Sequence, residues 1–173
     1  MTLNAPTGRT QTLTAAITAL GMAAAVGTAL GFQHFGGYIP CKLCLEQRVP
    51  YYVGIPVAVL ALTASVLKLP PIVTRLLLAV GGAMMLWTMA LGVYHSGVEW
   101  GWWLGPTDCG AVAAPAGSAG GVLDQLNTVI PPSCDKAAGR FLGLSFAGWN
   151  VVASLILALI AFRGAFSGGK SLS

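Results

Sequence analysis

The segment Pro40-Cys41-Lys42-Leu43-Cys44-Leu45-Glu46-Gln47-Arg48 sets two thiols three positions apart and a guanidinium four positions beyond the second. Thiols at this spacing close a small disulfide ring or bind a soft metal. On a helix, Cys44 and Arg48 share a face, and a fixed cation beside a thiol favours the thiolate. Two more cysteines, Cys109 and Cys134, stand far apart in one long polar stretch. Four cysteines allow three pairings, and all three are open. A Cys109–Cys134 staple would close a loop of about 26 residues and contribute roughly 3–4 kcal/mol by chain entropy. A Cys41–Cys44 ring restricts little of the unfolded chain, so a purely structural role explains it poorly. A four-cysteine zinc site is the metal alternative, but the second pair lacks C-x-x-C spacing. Redox exchange accounts for both pairs: a loop pair reaches a soluble partner, and a pair at the membrane edge reaches a lipid-soluble acceptor. Leu45 after Cys44 excludes a haem C-x-x-C-H, and no G-x-G-x-x-G for a flavin nucleotide is present.

The elements that must carry these thiols are membrane spans. The chain of 173 residues is 55% hydrophobic and 8% charged, and its mean hydropathy is +0.76. A soluble domain carries about 25% charged residues, so most of this surface faces lipid. The length suits one domain. The net charge of +4 is dispersed, with no basic cluster for nucleic acid. The expected fold is an all-α bundle of four transmembrane helices over about 13–35, 49–67, 72–94 and 141–162, each near the ~20 residues that cross the hydrocarbon. The first run exceeds the roughly 7–15 residues of a signal-peptide core, so it is expected to stay as a span. Gly21, Gly27 and Gly31 in it, and Gly81-Gly82 in the third, offer small-residue helix contacts. Pro50 leaves two starts for the second helix: near Val49, with proline in the first turn, or at Cys41, with a kink at Pro50.

Two redox loops are expected, 36–48 and 95–140. The long one opens with Trp100, Trp102 and Trp103, side chains suited to the headgroup region. Within it Val122, Leu123, Leu126, Val129 and Ile130 recur at helical spacing and predict a short amphipathic helix on the membrane surface. Four spans put all four cysteines on one face and both termini on the other. Arg9, Lys68, Arg75, Arg163 and Lys170 fall on the terminal side, against Lys42, Arg48, Lys136 and Arg140 on the cysteine side. All the acidic residues also lie on the cysteine side, which orients that face outward.

The whole chain, in order, resembles the DsbB family of disulfide bond formation proteins. The resemblance rests on Phe32-Gln33-His34, Pro40-Cys41-Lys42-Leu43-Cys44 with Gln47-Arg48, Tyr94-His95, the Cys109 and Cys134 loop, and Phe141-Leu142-Gly143-Leu144. It implies an inner-membrane thiol oxidase that reoxidises a periplasmic, thioredoxin-like DsbA-type dithiol protein and passes electrons to ubiquinone or menaquinone. By resemblance, Cys109 is attacked by the reduced partner, Cys134 exchanges with Cys41, and Cys44 faces the quinone. Arg48 would stabilise the Cys44 thiolate and polarise a quinone carbonyl, and His95 would line the quinone pocket. His34 reads mainly as an interface residue. A vitamin-K-epoxide-reductase-like enzyme is the nearest rival, but that family places its C-x-x-C late in the chain. A disulfide-stapled membrane scaffold is the non-enzymatic alternative.

Overall fold

The structure is a computed structural model in which residues 7–107 and 133–168 are described. Among the described residues, four long helices make up the fold: α1 (Arg9–His34), α2 (Lys42–Val66), α3 (Pro71–Glu99) and α4 (Phe146–Phe166). All four are long and apolar enough to cross a membrane. Between α3 and α4 lies a two-residue-per-strand hairpin, β1 (Arg140–Phe141) and β2 (Leu144–Ser145), paired antiparallel with Phe141 opposite Leu144. Leu142 and Gly143 turn it with φ of +50° and +84°, the left-handed pair a tight two-residue hairpin requires. The expected amphipathic helix and Cys109 lie outside the described residues.

The spans differ from those expected from apolarity. The second helix begins at Lys42 rather than near Val49, so residues 42–48 are helix and not loop. The reason is local. Cys41 has extended backbone angles, and its Sγ accepts the Cys44 amide hydrogen at 3.2 Å, which caps the helix start. The helix then continues through Pro50 and Pro56. The third helix runs five residues past Tyr94, to Glu99. The fourth starts later than Phe141, at Phe146, because the hairpin takes up its expected first turn. Ser145 Oγ accepts from Gly148 N at 3.2 Å and caps it.

α3 packs most closely on α4 and α2, while α1 lies against α2 and α4 and barely meets α3. The central core joins Ala19, Met22, Tyr51, Ala58, Met85 and Leu157. Small residues set the approach of the helices. A Cβ on Gly21 would meet Leu157 Cδ2 at 2.5 Å, and one on Gly92 would meet Val151 Cγ2 at 2.8 Å. Gly27 and Gly31 have nothing within 4 Å where a Cβ would stand, so of the three α1 glycines only Gly21 is a contact point. Large apolar side chains such as Leu20, Leu60, Leu76 and Leu159 point outward, as lipid-facing positions should. At the end remote from the cysteines, Arg75 Nη1 donates to the carbonyls of Ala165 and Ser167, at 2.9 and 2.8 Å, and Gln11 Nε2 donates to Gly164 O at 3.3 Å. These side chains satisfy carbonyls that the end of α4 leaves without intrahelical donors.

Candidate active site

Because α2 starts at Lys42, helical phase carries Cys44, Gln47, Arg48 and Tyr51 onto one face. That face forms one wall of a cavity of about 330 Å³. α1 closes it with Ala25, Ala29, Phe32 and Gln33, α3 contributes His95, and α4 contributes Phe146, Trp149, Asn150 and Ala153. The alanines leave the space, and the aromatics bound it. Phe32, Tyr38 and Phe146 pack on one another with ring centroids 5.0 to 5.9 Å apart. An apolar cleft of this size with a few converging polar groups has the form of a small-molecule site. Three residues singled out in the sequence, Cys44, Arg48 and His95, thus line the same cavity. His34 is exposed and is not among the lining residues.

The sulfur centre sits at the head of α2. Cys41 and Cys44 are free thiols with Sγ atoms 2.6 Å apart, in position to close a disulfide on oxidation. Cys41 is buried, and a hydrogen bond to the Cys44 sulfur followed by burial pushes its thiol well above the ordinary cysteine range. Cys134 is disulfide-bonded and packs with Cys41, Leu43 and Val98 in one buried cluster. The ligand atoms of Cys41, Cys134 and His95 all lie within 4.8 Å of one another. In its disulfide Cys134 has no thiolate to offer a metal, whereas a free thiol beside a disulfide is the arrangement that exchange uses.

Around the sulfurs lies a polar network within the spans. His95 Nε2 is 3.7 Å from Cys41 Sγ and 3.8 Å from Glu99 Oε1. On its other side, His95 Nδ1 is 2.7 Å from Gln47 Nε2. Asn150 Nδ2 donates to Gln47 Oε1 at 2.8 Å, and Tyr51 OH donates to Asn150 Oδ1 at 2.7 Å. Arg48 Nη1 donates to Gln33 Oε1 at 2.6 Å, which fixes the guanidinium against α1. The sequence pattern marks no role for Tyr51, Thr88 or Asn150, and Gln33 and Gln47 stand out in it only as parts of motifs. The available signal was their polarity within apolar runs, since polar groups inside a membrane are costly and tend to be functional.

A helical membrane bundle with a C-x-x-C thiol pair, a disulfide packed against it and an apolar cavity beside the second thiol defines a class: a multi-pass membrane disulfide oxidoreductase. The family model described as "Disulfide bond formation protein DsbB" matches residues 11–163, and the chain belongs to the DsbB family. An uncharacterised protein of Rickettsia prowazekii (strain Madrid E) is 30% identical over 142 residues, covering 81% of this chain and 78% of the relative. No solved structure matches.

Proposed function

We propose that this protein reoxidises a DsbA-like periplasmic dithiol protein and passes the two electrons through its two cysteine pairs to a membrane quinone, ubiquinone or menaquinone. The cysteine end of the bundle faces the periplasm, and both termini are cytoplasmic. The observation that carries this reading is the 330 Å³ cavity, which sets the Cys44 thiol and the Arg48 guanidinium on one wall of an otherwise apolar cleft. Such a cleft fits a flat apolar ring with polar carbonyl edges. A bound quinone supplies a two-electron, two-proton acceptor. The chain's residues supply the rest. Cys109 takes the attack of the reduced partner, and Cys134 hands the electrons on by exchange with Cys41, against which it packs. Cys44 is the sulfur next to the acceptor. Arg48, held by Gln33, balances negative charge on Cys44 and polarises a carbonyl oxygen. His95 lines the cavity between the sulfurs and α4.

The direction of flow sets a requirement. A DsbA-type disulfide has a potential near about −120 mV, whereas structural disulfides often lie below about −300 mV. The pairs here must be more oxidising than ordinary staples, or electron removal by quinone must draw the sequence forward. The test mixes purified protein, reduced partner and a soluble quinone analogue. Cys44→Ser should abolish quinone reduction, and Arg48→His should weaken quinone use more than partner use. Intact reduction in Cys44→Ser would sink the reading, as would equal loss of both functions in Arg48→His.

A further inference from the structure

The network behind His95 determines which ring nitrogen carries the proton. Two backbone carbonyls, which can only accept, fix the orientation of the side-chain amides. Asn150 turns one end of its amide to the Thr88 carbonyl oxygen, at 3.4 Å. The same end lies 3.2 Å from Thr88 Oγ1, whose own hydrogen goes to the Gln47 carbonyl at 2.8 Å. Both neighbours need a donor, so the amide NH2 of Asn150 faces Thr88. That NH2 also meets the side chain of Gln47 at 2.8 Å, so Gln47 presents its Oε1 there. Gln47 Nε2 then points at the Leu43 carbonyl oxygen, 3.3 Å away, and at His95 Nδ1, 2.7 Å away. Nδ1 must accept. The proton of the neutral ring therefore sits on Nε2, the nitrogen 3.7 Å from Cys41 Sγ. Tyr51 completes the chain by donating to Asn150 Oδ1. Gln47 and His95 are both buried, so water does not readily replace these bonds.

We propose that Tyr51, Asn150 and Gln47 are positioning residues that hold His95 as the Nε2–H imidazole, so that His95 donates a hydrogen bond to the Cys41 sulfur and does not take its proton. This rests on the exchange reading above, in which Cys41 leaves a mixed disulfide with Cys134. There the Cys109 thiolate, released when the partner leaves oxidised, attacks Cys134, a Cys109–Cys134 bond forms, and the Cys134–Cys41 bond breaks with its electron pair on Cys41 Sγ. No proton need move to or from Cys41 in that step. The Nε2–H bond is weak to the resting thiol and strengthens as charge develops on the sulfur, which is where a fixed donor accelerates a reaction. The Cys44 amide hydrogen, 3.2 Å from the same sulfur, is a second such donor. Glu99 Oε1, at 3.8 Å from Nε2, is too far to hold that hydrogen in a normal bond.

The chain has two histidines, His34 and His95, so histidine labelled with nitrogen-15 reads the ring directly in the full-length protein in lipid nanodiscs. His34→Ala assigns the signals. The expected wild-type spectrum shows His95 protonated at Nε2 and unprotonated at Nδ1. Gln47→Glu replaces the donor by a carboxylate and should move a proton onto Nδ1. Gln47→Met removes the donor to Nδ1 together with the Oε1 that accepts from Asn150, should give a mixture, and serves if the first variant does not fold. Single-turnover reduction of ubiquinone-1 should slow about tenfold in Gln47→Glu, less than the ~10²–10³ for loss of an oxyanion donor because sulfur accepts more weakly. A wild-type ring protonated at Nδ1, or a variant spectrum that does not change, overturns the proposal. A changed spectrum with an unchanged turnover rate overturns the role in exchange. A wild-type chain that reduces no quinone yet shows the Nε2–H ring overturns the functional reading instead, and supports the lock.

Discussion

Replacing Asn150 by leucine tests how much the polar network holds the bundle together. Leucine has the same branched heavy-atom outline as asparagine, so the change removes the hydrogen bonds while keeping the side-chain shape. Asn150 makes three bonds of 3.2 Å or less to other helices: to Gln47 Oε1 and Tyr51 OH on α2, and to Thr88 Oγ1 on α3. Two scales compete for their worth. In soluble proteins each orphaned buried partner costs about 1–3 kcal/mol. Across membrane helices such bonds average about 0.6 kcal/mol, because separated helices in lipid or detergent also find partners. The second scale applies to these spans, and three bonds at that value give roughly 2 kcal/mol. Tyr51→Phe removes one of them and should cost about 0.6 kcal/mol. The double variant should lose about 2 kcal/mol and not the sum, because both changes delete the same Tyr51–Asn150 bond. Titration from mild detergent into dodecyl sulfate, followed by circular dichroism, measures each value. Full additivity, or an Asn150→Leu variant as stable as wild type, would refute the network.

Two other perturbations follow from the geometry. Compared with the reduced wild type, Cys44→Ala removes the hydrogen bond that contributes most to raising the Cys41 thiol, so the thiolate fraction of Cys41 at pH 8 should increase. Alkylation of Cys41 measured by mass spectrometry should speed up accordingly, and an unchanged rate would mean that burial alone controls the thiol. Gly92→Ala puts a methyl group 2.8 Å from Val151 Cγ2 and 3.3 Å from the Ala147 carbonyl, which should cost about 1–3 kcal/mol by forcing α3 and α4 apart; dodecyl sulfate titration of the single variant would show no shift if the contact is dispensable.

The four spans were legible because about 20 apolar residues in a row have few other uses. Their ends were not, because apolarity marks depth in lipid while hydrogen bonds mark helix. Lys42, Glu46 and Arg48 made the first turns of α2 look like loop, and only the capping by Cys41 Sγ shows that the helix starts there. This settles whether Cys44 and Arg48 share a face, which Pro50 had left open. The hairpin at Leu142-Gly143 was equally hidden within an apolar stretch. The cysteines and Arg48 announce themselves by type and spacing. The partners of His95 do not: Gln47 and Asn150 are 103 positions apart and meet only when α2 and α4 pack. His95 and Glu99, spaced i to i+4, could have been paired had α3 been carried past Tyr94.

The side chains that hold the end of α4 have a mechanical consequence. Arg75 and Gln11 clasp its terminal carbonyls at Gly164, Ala165 and Ser167, while Asn150 borders the cavity fifteen residues away, roughly 22 Å along the helix at 1.5 Å per residue. Bonds at one end oppose sliding of α4 along its axis more than tilting about that end. A tilt of about 5° about the clasp would move Asn150 by roughly 2 Å over that length while leaving the far end of the bundle in register. Such a tilt would also stretch the Gln47–Asn150 bond, so a movement of α4 at the cavity would be felt by the network behind His95.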